Sequence, residues 1–160
     1  MKAVDIYLRA KHDVSNQLQL INGYLELGHY EQAKAAAERW TQRVHEEQQL
    51  FRLPWPAFLE AVVNYQTTAS RYSWRFEVNS KGDAASDAFV TSQFDRWMSF
   101  IATIPAAYKQ LIEIELFDEE ETIDVHFILS GGDYSDVQGD EAFDWVISDH
   151  MITAAFKINR

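Results

Sequence analysis

The sequence contains no cysteine, and that absence excludes a disulfide framework, a thiolate zinc site, an iron–sulfur cluster and a cysteine nucleophile. A reducing cytoplasm is the natural setting, since lack of cysteine permits that compartment without requiring it. Long hydrophobic runs are missing as well. The opening residues, MKAVDIYLRAKHD, carry charge every few positions and have no apolar h-region, and no stretch approaches the ~20 apolar residues of a membrane span. A soluble, unprocessed chain is expected. From Glu113 to Asp149 there is no Lys or Arg at all, against 13 acids, while the rest of the chain holds the other 12 acids and all 14 bases. The net charge of -11 therefore belongs to one segment, most simply a solvated acidic surface. No basic stripe runs along any predicted helix, so the phosphate-neutralising footprint of a nucleic-acid binder is missing. What is present, 160 residues with 47% hydrophobic and 24% charged side chains, suits one ordinary globular domain or two small ones.

The N-terminal third reads as two helices. Steps of three and four residues connect Val4, Tyr7, Val14, Leu18, Ile21 and Leu25, with Lys11 the only polar interruption, and Ile6, Leu20 and Leu27 widen the stripe. Gly28 stands where a C-terminal glycine takes a left-handed conformation, and Tyr30 and Glu31 open a second helix rich in Ala, Glu, Gln and Arg that runs until Pro54 and Pro56 break it. Helices joined this tightly lie antiparallel. One neighbour cannot cover so broad an apolar face. A second copy of the hairpin would cover it in a dimeric four-helix bundle, with Ala33, Ala35, Ala36 and Ala37 permitting close approach; burial against the rest of the chain is the alternative.

Beyond the prolines the pattern changes. PAFLEAVVNYQTTASRY predicts a helix, SWRFEVN a strand with Trp74, Phe76 and Val78 on one side, and DAFVTSQFDRWMSFIATI a helix capped by Ser86 or Asp87 with an aromatic face of Phe89, Phe94, Trp97 and Phe100. LIEIELF, TIDVHFIL and HMITAAFKI read as strands, and SGGDYSDVQGDEAFDW as a loop ending in a short helix. The fold class is α+β, with residues 1–53 a helical hairpin and 54–160 a small α/β sandwich with helices on one face of the sheet.

Five histidines occur, at positions 12, 29, 45, 126 and 150, none with metal-ligand spacing. His12 differs in context. Its helical neighbours Asp5, Leu8, Ser15 and Gln19 place it beside the apolar seam and not within it, so it is expected at the surface. An imidazole ordinarily titrates near neutral pH and is then a usable nitrogen nucleophile, and Asp13 is placed to orient it or manage its proton.

The run LRAKHDVSNQLQLINGYLELGHYEQAKAAAERW resembles the phosphoacceptor hairpin of sporulation initiation phosphotransferase B and of citrate and fumarate type sensor histidine kinases. The likeness rests on Lys11, His12, Asp13, Asn16, Leu18, Leu20, Ile21, Gly23, Leu25, Leu27, Gly28, Tyr30 and Glu31, which join a histidine context to a hairpin turn in register over about 30 residues. It implies that His12 accepts a phosphoryl group from a receiver aspartate and passes it to a second receiver, with Asp13 and Asn16 as companions in catalysis and Arg9, Lys11, Ser15 and Gln19 meeting the partner. It implies a homodimer, response-regulator receivers as partners, and Mg²⁺ supplied by the receiver, with no cofactor of the chain's own. Such a transfer asks for an exposed nucleophile, in-line positioning and cations near the equatorial oxygens.

Sensor kinases of this type add a nucleotide-binding domain with an Asn-rich box, an Asp-x-Gly-x-Gly segment and a Gly-rich lid, and this sequence departs from all three. Asn64 stands about where the first box would start, with no second Asn to complete it, and Gly131 and Gly132 in SGGDYSD lack the preceding acid and the spacing. Adjacent glycines are ordinary turn chemistry. The acidic segment would also repel ATP phosphates. The expectation is a degenerate histidine-kinase ATPase domain and an ATP-independent phosphotransferase; a kinase fragment with a diverged ATP site and a non-catalytic receiver-binding adaptor are the alternatives.

Overall fold

The computed structural model describes residues 3–69 and 71–159. The chain divides into two compact units, one ending at Glu47 and the other beginning at Gln48. In the first, α1 (Ala3–Glu26) and α2 (Tyr30–Leu50) are joined by a turn that closes α1 in the manner its sequence calls for. Gly28 adopts φ +72, as a left-handed C-terminal glycine should. The Gly28 N–H donates to the Leu25 carbonyl at 3.1 Å and the His29 N–H to that of Tyr24 at 2.8 Å, which satisfies two of the carbonyls a helix end leaves orphaned. No residue of α1 is buried, but Ile6, Gln17, Ile21, Gly23 and Tyr24 are half-buried, and α2 buries Ala33 and Ala36. In an antiparallel pair with so short a turn, Tyr24 and Ile21 stand at the height of Ala33 and Ala36, and the small side chains permit close approach.

The second unit takes the last turn of α2, with Leu50 in its core, and continues through α3 (Pro56–Thr68), β1 (Tyr72–Asn79), a 3₁₀ turn at Ala84–Ser86, α4 (Asp87–Ala102), β2 (Gln110–Asp118), β3 (Thr122–Ser130), β4 (Asp144–Ile147) and β5 (Met151–Asn159). The five strands are ordered β1-β2-β3-β5-β4, with β1 parallel to β2 and the other neighbours antiparallel. The parallel pair follows from its long connection: α4 lies between β1 and β2, as a crossover helix must. The fold is α+β. Trp55, Phe58, Phe94, Trp97 and Phe127 are fully buried between α3, α4 and the sheet. Their rings meet at centroid distances of 5.8 Å (Trp55–Phe58), 5.3 Å (Phe58–Phe94), 5.5 Å (Phe94–Phe127) and 5.4 Å (Trp97–Phe127), each burial contributing about 1.5–3 kcal/mol.

Three local expectations are corrected. The stretch after β3 does not end in a helix: Asp144–Ile147 form β4, antiparallel to β5, where four residues are too few for periodicity to reveal a strand. The helix predicted to run through Tyr72 ends at Thr68, and Tyr72 already belongs to β1. Asp87 opens α4, yet its carboxylate accepts from the backbone N–H groups of Ala57 and Phe58, both at 3.0 Å, and so caps α3 from across the fold. Ser86 stands at the N-cap of α4, as one of the two expected residues, with no side-chain cap hydrogen bond, and Asp83 caps the preceding 3₁₀ turn, its side chain accepting from the Ala85 N–H. No described helix is long and apolar enough to cross a membrane.

Candidate functional site

His12 projects from the exposed side of α1, its side chain 72% accessible. Two neighbours converge on one ring nitrogen: the Asp13 carboxylate lies 3.8 Å from Nδ1, and the Asn16 side-chain amide 3.2 Å from the same atom. Residues i and i+4 of a helix meet on one face, which explains why His12 and Asn16 touch. The two ends of an amide exchange by rotation about χ2. The atom at 3.2 Å is Asn16 Nδ2, which donates to Nδ1 when that nitrogen carries the lone pair; with the amide turned so that Oδ1 faces the ring, Asn16 accepts from Nδ1–H beside the Asp13 carboxylate, and the lone pair is then on Nε2. An exposed Nε2 lone pair is what an imidazole nucleophile needs.

Arg9, Lys11, Ser15 and Gln19 are exposed around it. The Lys11 ammonium lies over the ring of Tyr7, 5.2 Å from its centroid, a contact the sequence reading did not single out although an aromatic residue four positions before a lysine is its usual signal. Thus the structure brings His12, Asp13 and Asn16 together and sets Lys11 on the neighbouring stripe. Among the described residues no group of three or more His, Asp or Glu side chains is arranged to hold a metal ion.

The SGGDYSD turn is the other segment with nucleotide-site potential, and its glycines are accounted for by packing. Gly131 has φ +88, and a Cβ there would sit 2.9 Å from the Lys109 carbonyl, while one at Gly132 would meet the Tyr134 ring at 2.8 Å. Tyr134 is fully buried, and its hydroxyl accepts from the Gln110 side chain at 3.0 Å. Burial pushes the Tyr134 phenol above its ordinary value. The turn is therefore pinned to the start of β2.

Residues 2–53 match the family model described as the sensor kinase SpoOB-type alpha-helical domain. No curated protein matches the sequence. Among solved structures, the chain is similar to the histidine kinase ThkA, crystallised in complex with the response regulator protein TrrA: TM-score 0.50 and 12% identity over 97% of this chain, which spans 61% of the ThkA chain. The Acinetobacter baumannii histidine kinase AdeS aligns at TM-score 0.49 and 10% identity over 92% of this chain and 97% of its own. The hairpin thus matches the family model of the SpoOB-type alpha-helical domain, and the chain as a whole shares its fold with the histidine kinase ThkA.

Proposed function

We propose that the protein is a histidine phosphotransferase of a phosphorelay, with His12 the phosphoacceptor. The observation that carries this reading is the His12 ring, exposed on the surface of α1 and flanked at Nδ1 by Asp13 and Asn16. In the transfer, the Nε2 lone pair attacks the phosphorus of a receiver's aspartyl phosphate in line. The N–P bond forms, the P–O bond to the aspartate breaks, and a carboxylate leaves. The ring becomes cationic with its proton on Nδ1, and Asp13 stabilises that charge. Attack by the aspartate of a second receiver reverses the step and restores the neutral ring. Arg9, Lys11, Ser15 and Gln19 meet the receiver, and the receiver brings its own Mg²⁺.

Residues 1–53 serve as phosphoacceptor and dimerisation element in this reading, and 54–160 as a degenerate ATPase-like domain. Two observations support independence from ATP. The paired glycines are used by packing against Lys109 and Tyr134, and the space between α3, α4 and the sheet is filled by aromatic rings. Dimerisation is supported by the seam. Val4, Tyr7, Leu18 and Leu25 are 64%, 58%, 53% and 45% exposed in the single chain. At about 100° per residue this stripe is centred about 100° from the half-buried one formed by Ile6, Gln17, Ile21 and Tyr24. A helix in a four-helix bundle meets its two neighbours at close to that angle.

A kinase fragment is the second reading, favoured by the likeness to ThkA along nearly the whole chain. Incubation with radiolabelled Mg-ATP in one arm and with a labelled phosphoreceiver in the other separates the two. Label from the receiver alone supports the phosphotransferase; self-labelling from ATP supports the kinase.

A further inference from the structure

Gly23 lies inside α1, and the helix runs straight through it: the Leu27 N–H donates to the Gly23 carbonyl at 3.1 Å. The left-handed glycines among the described residues are Gly28, Gly82 and Gly131, and Gly23 is not one of them. A Cβ at Gly23 would meet nothing within 4 Å. Neither backbone conformation nor packing within the chain therefore asks for glycine here, although glycine weakens a helix interior relative to alanine. Gly131 and Gly132 are the contrast, since a Cβ there would collide with Lys109 and Tyr134.

Its place on α1 narrows what does ask for it. At about 100° and 1.5 Å per residue, Gly23 stands within about 20° of His12 and about 16 Å further along the helix, with the exposed Ser15, Asn16 and Gln19 on the stripe between them. The half-buried stripe of Ile6, Gln17, Ile21 and Tyr24 is centred about 120° away, and the exposed apolar stripe of Val4, Tyr7, Leu18 and Leu25 about 140° away. Neither α2 nor a second copy seated on the apolar stripe accounts for the glycine. Gly23 belongs to the face that carries His12. A standard interface of about 800 Å² per partner reaches about 16 Å from its centre, so a partner centred on His12 extends to Gly23.

Resting on the phosphotransfer reading above, we infer that Gly23 is a specificity-determining contact for the receiver, the point at which a helix of the receiver crosses α1 at close range, and that α1 forgoes helix stability to keep that point open. Without a Cβ the two backbones can come nearer than the 8–10 Å ordinary for packed helices. A methyl group at this position obstructs the close crossing and leaves the imidazole and its two companions untouched.

The test uses the full chain and a labelled phosphoreceiver that phosphorylates His12 of the natural protein. Gly23→Ala is expected to raise the melting temperature by about 2–4 °C, and to raise KM for the phosphoreceiver about tenfold with kcat held within about twofold. Gly23→Gln, longer and still a good helix former, should raise KM further. Self-association of both variants, measured by sedimentation, should match that of the natural chain. A Gly23→Ala protein that is more stable and transfers with unchanged KM overturns the contact and leaves the phosphotransferase standing. A change in self-association in place of KM gives Gly23 to a contact between copies and overturns the inference as well. A natural chain that no phosphoreceiver labels at His12 overturns the phosphotransfer reading, and the receiver contact with it.

Discussion

The side-chain amide of Asn16 lies 3.2 Å from Nδ1 of His12, one helical turn away on α1. In the proposed transfer, Asn16 with its amide oxygen toward the ring and the Asp13 carboxylate 3.8 Å from the same nitrogen hold the proton on Nδ1, so that Nε2 is the reacting atom. Asn16→Ala removes one orienting hydrogen bond from an exposed helix position. The phosphotransfer rate is expected to fall about tenfold, the effect of one such bond on a transition state, with the melting temperature of the hairpin little changed. Rapid-quench transfer from a labelled receiver measures the rate, and circular dichroism the helix.

Asp87 holds the first turn of α3 from the start of α4 by accepting from Ala57 and Phe58. Asp87→Ala should lower the stability of the second unit by about 1–2 kcal/mol, the usual loss for an N-cap. Urea unfolding followed by tryptophan fluorescence reads it, because Trp55 and Trp97 lie in that core.

At Gly131 the backbone is left-handed and a Cβ would approach the Lys109 carbonyl to 2.9 Å. Gly131→Ala is therefore expected to cost roughly 1–2 kcal/mol in unfolding. If the turn serves packing alone, receiver-dependent labelling of His12 in the folded variant will match that of the natural chain; loss of labelling without loss of fold would assign the turn a part in the chemistry.

Tyr134 supplies a pH dependence. Its phenol titrates above the ordinary 10.0 because burial disfavours the phenolate. A raised folded-state pKa means the stabilisation is fully present below the unfolded value of 10.0 and is lost as pH rises from there through the folded value. Denaturant midpoints should therefore drop as pH passes about 10, and Tyr134→Phe should flatten that drop. The same variant leaves the buried Gln110 amide without its acceptor, costing about 1–3 kcal/mol at neutral pH.

Periodicity made the hairpin legible. The three-and-four spacing from Val4 to Leu25 drew α1 and Gly28 marked its end, while Asn16 stood as a companion of His12 through the resemblance alone and its contact with the ring is a finding of the structure. What stayed hidden is tertiary. Asp87 reads as a cap for the helix it begins, and only the packing of α4 beside α3 redirects its carboxylate to Ala57 and Phe58. β4 is four residues long and finds its identity in pairing with β5, which no local pattern encodes. The Tyr134–Gln110 hydrogen bond joins residues 24 apart, and the position of Lys11 over Tyr7 depends on rotamers that spacing alone does not specify.

The most direct test of the central claim is the site of the phosphoryl group. The natural chain and His12→Gln are incubated with a labelled phosphoreceiver in the absence of ATP, and the protein-bound phosphate is mapped by its acid lability and by peptide mass spectrometry. The account predicts an acid-labile phosphate on His12 in the natural chain and none on the variant, with the same fold in both. Equal labelling of the two proteins, or transfer between receivers that persists in His12→Gln, would contradict it.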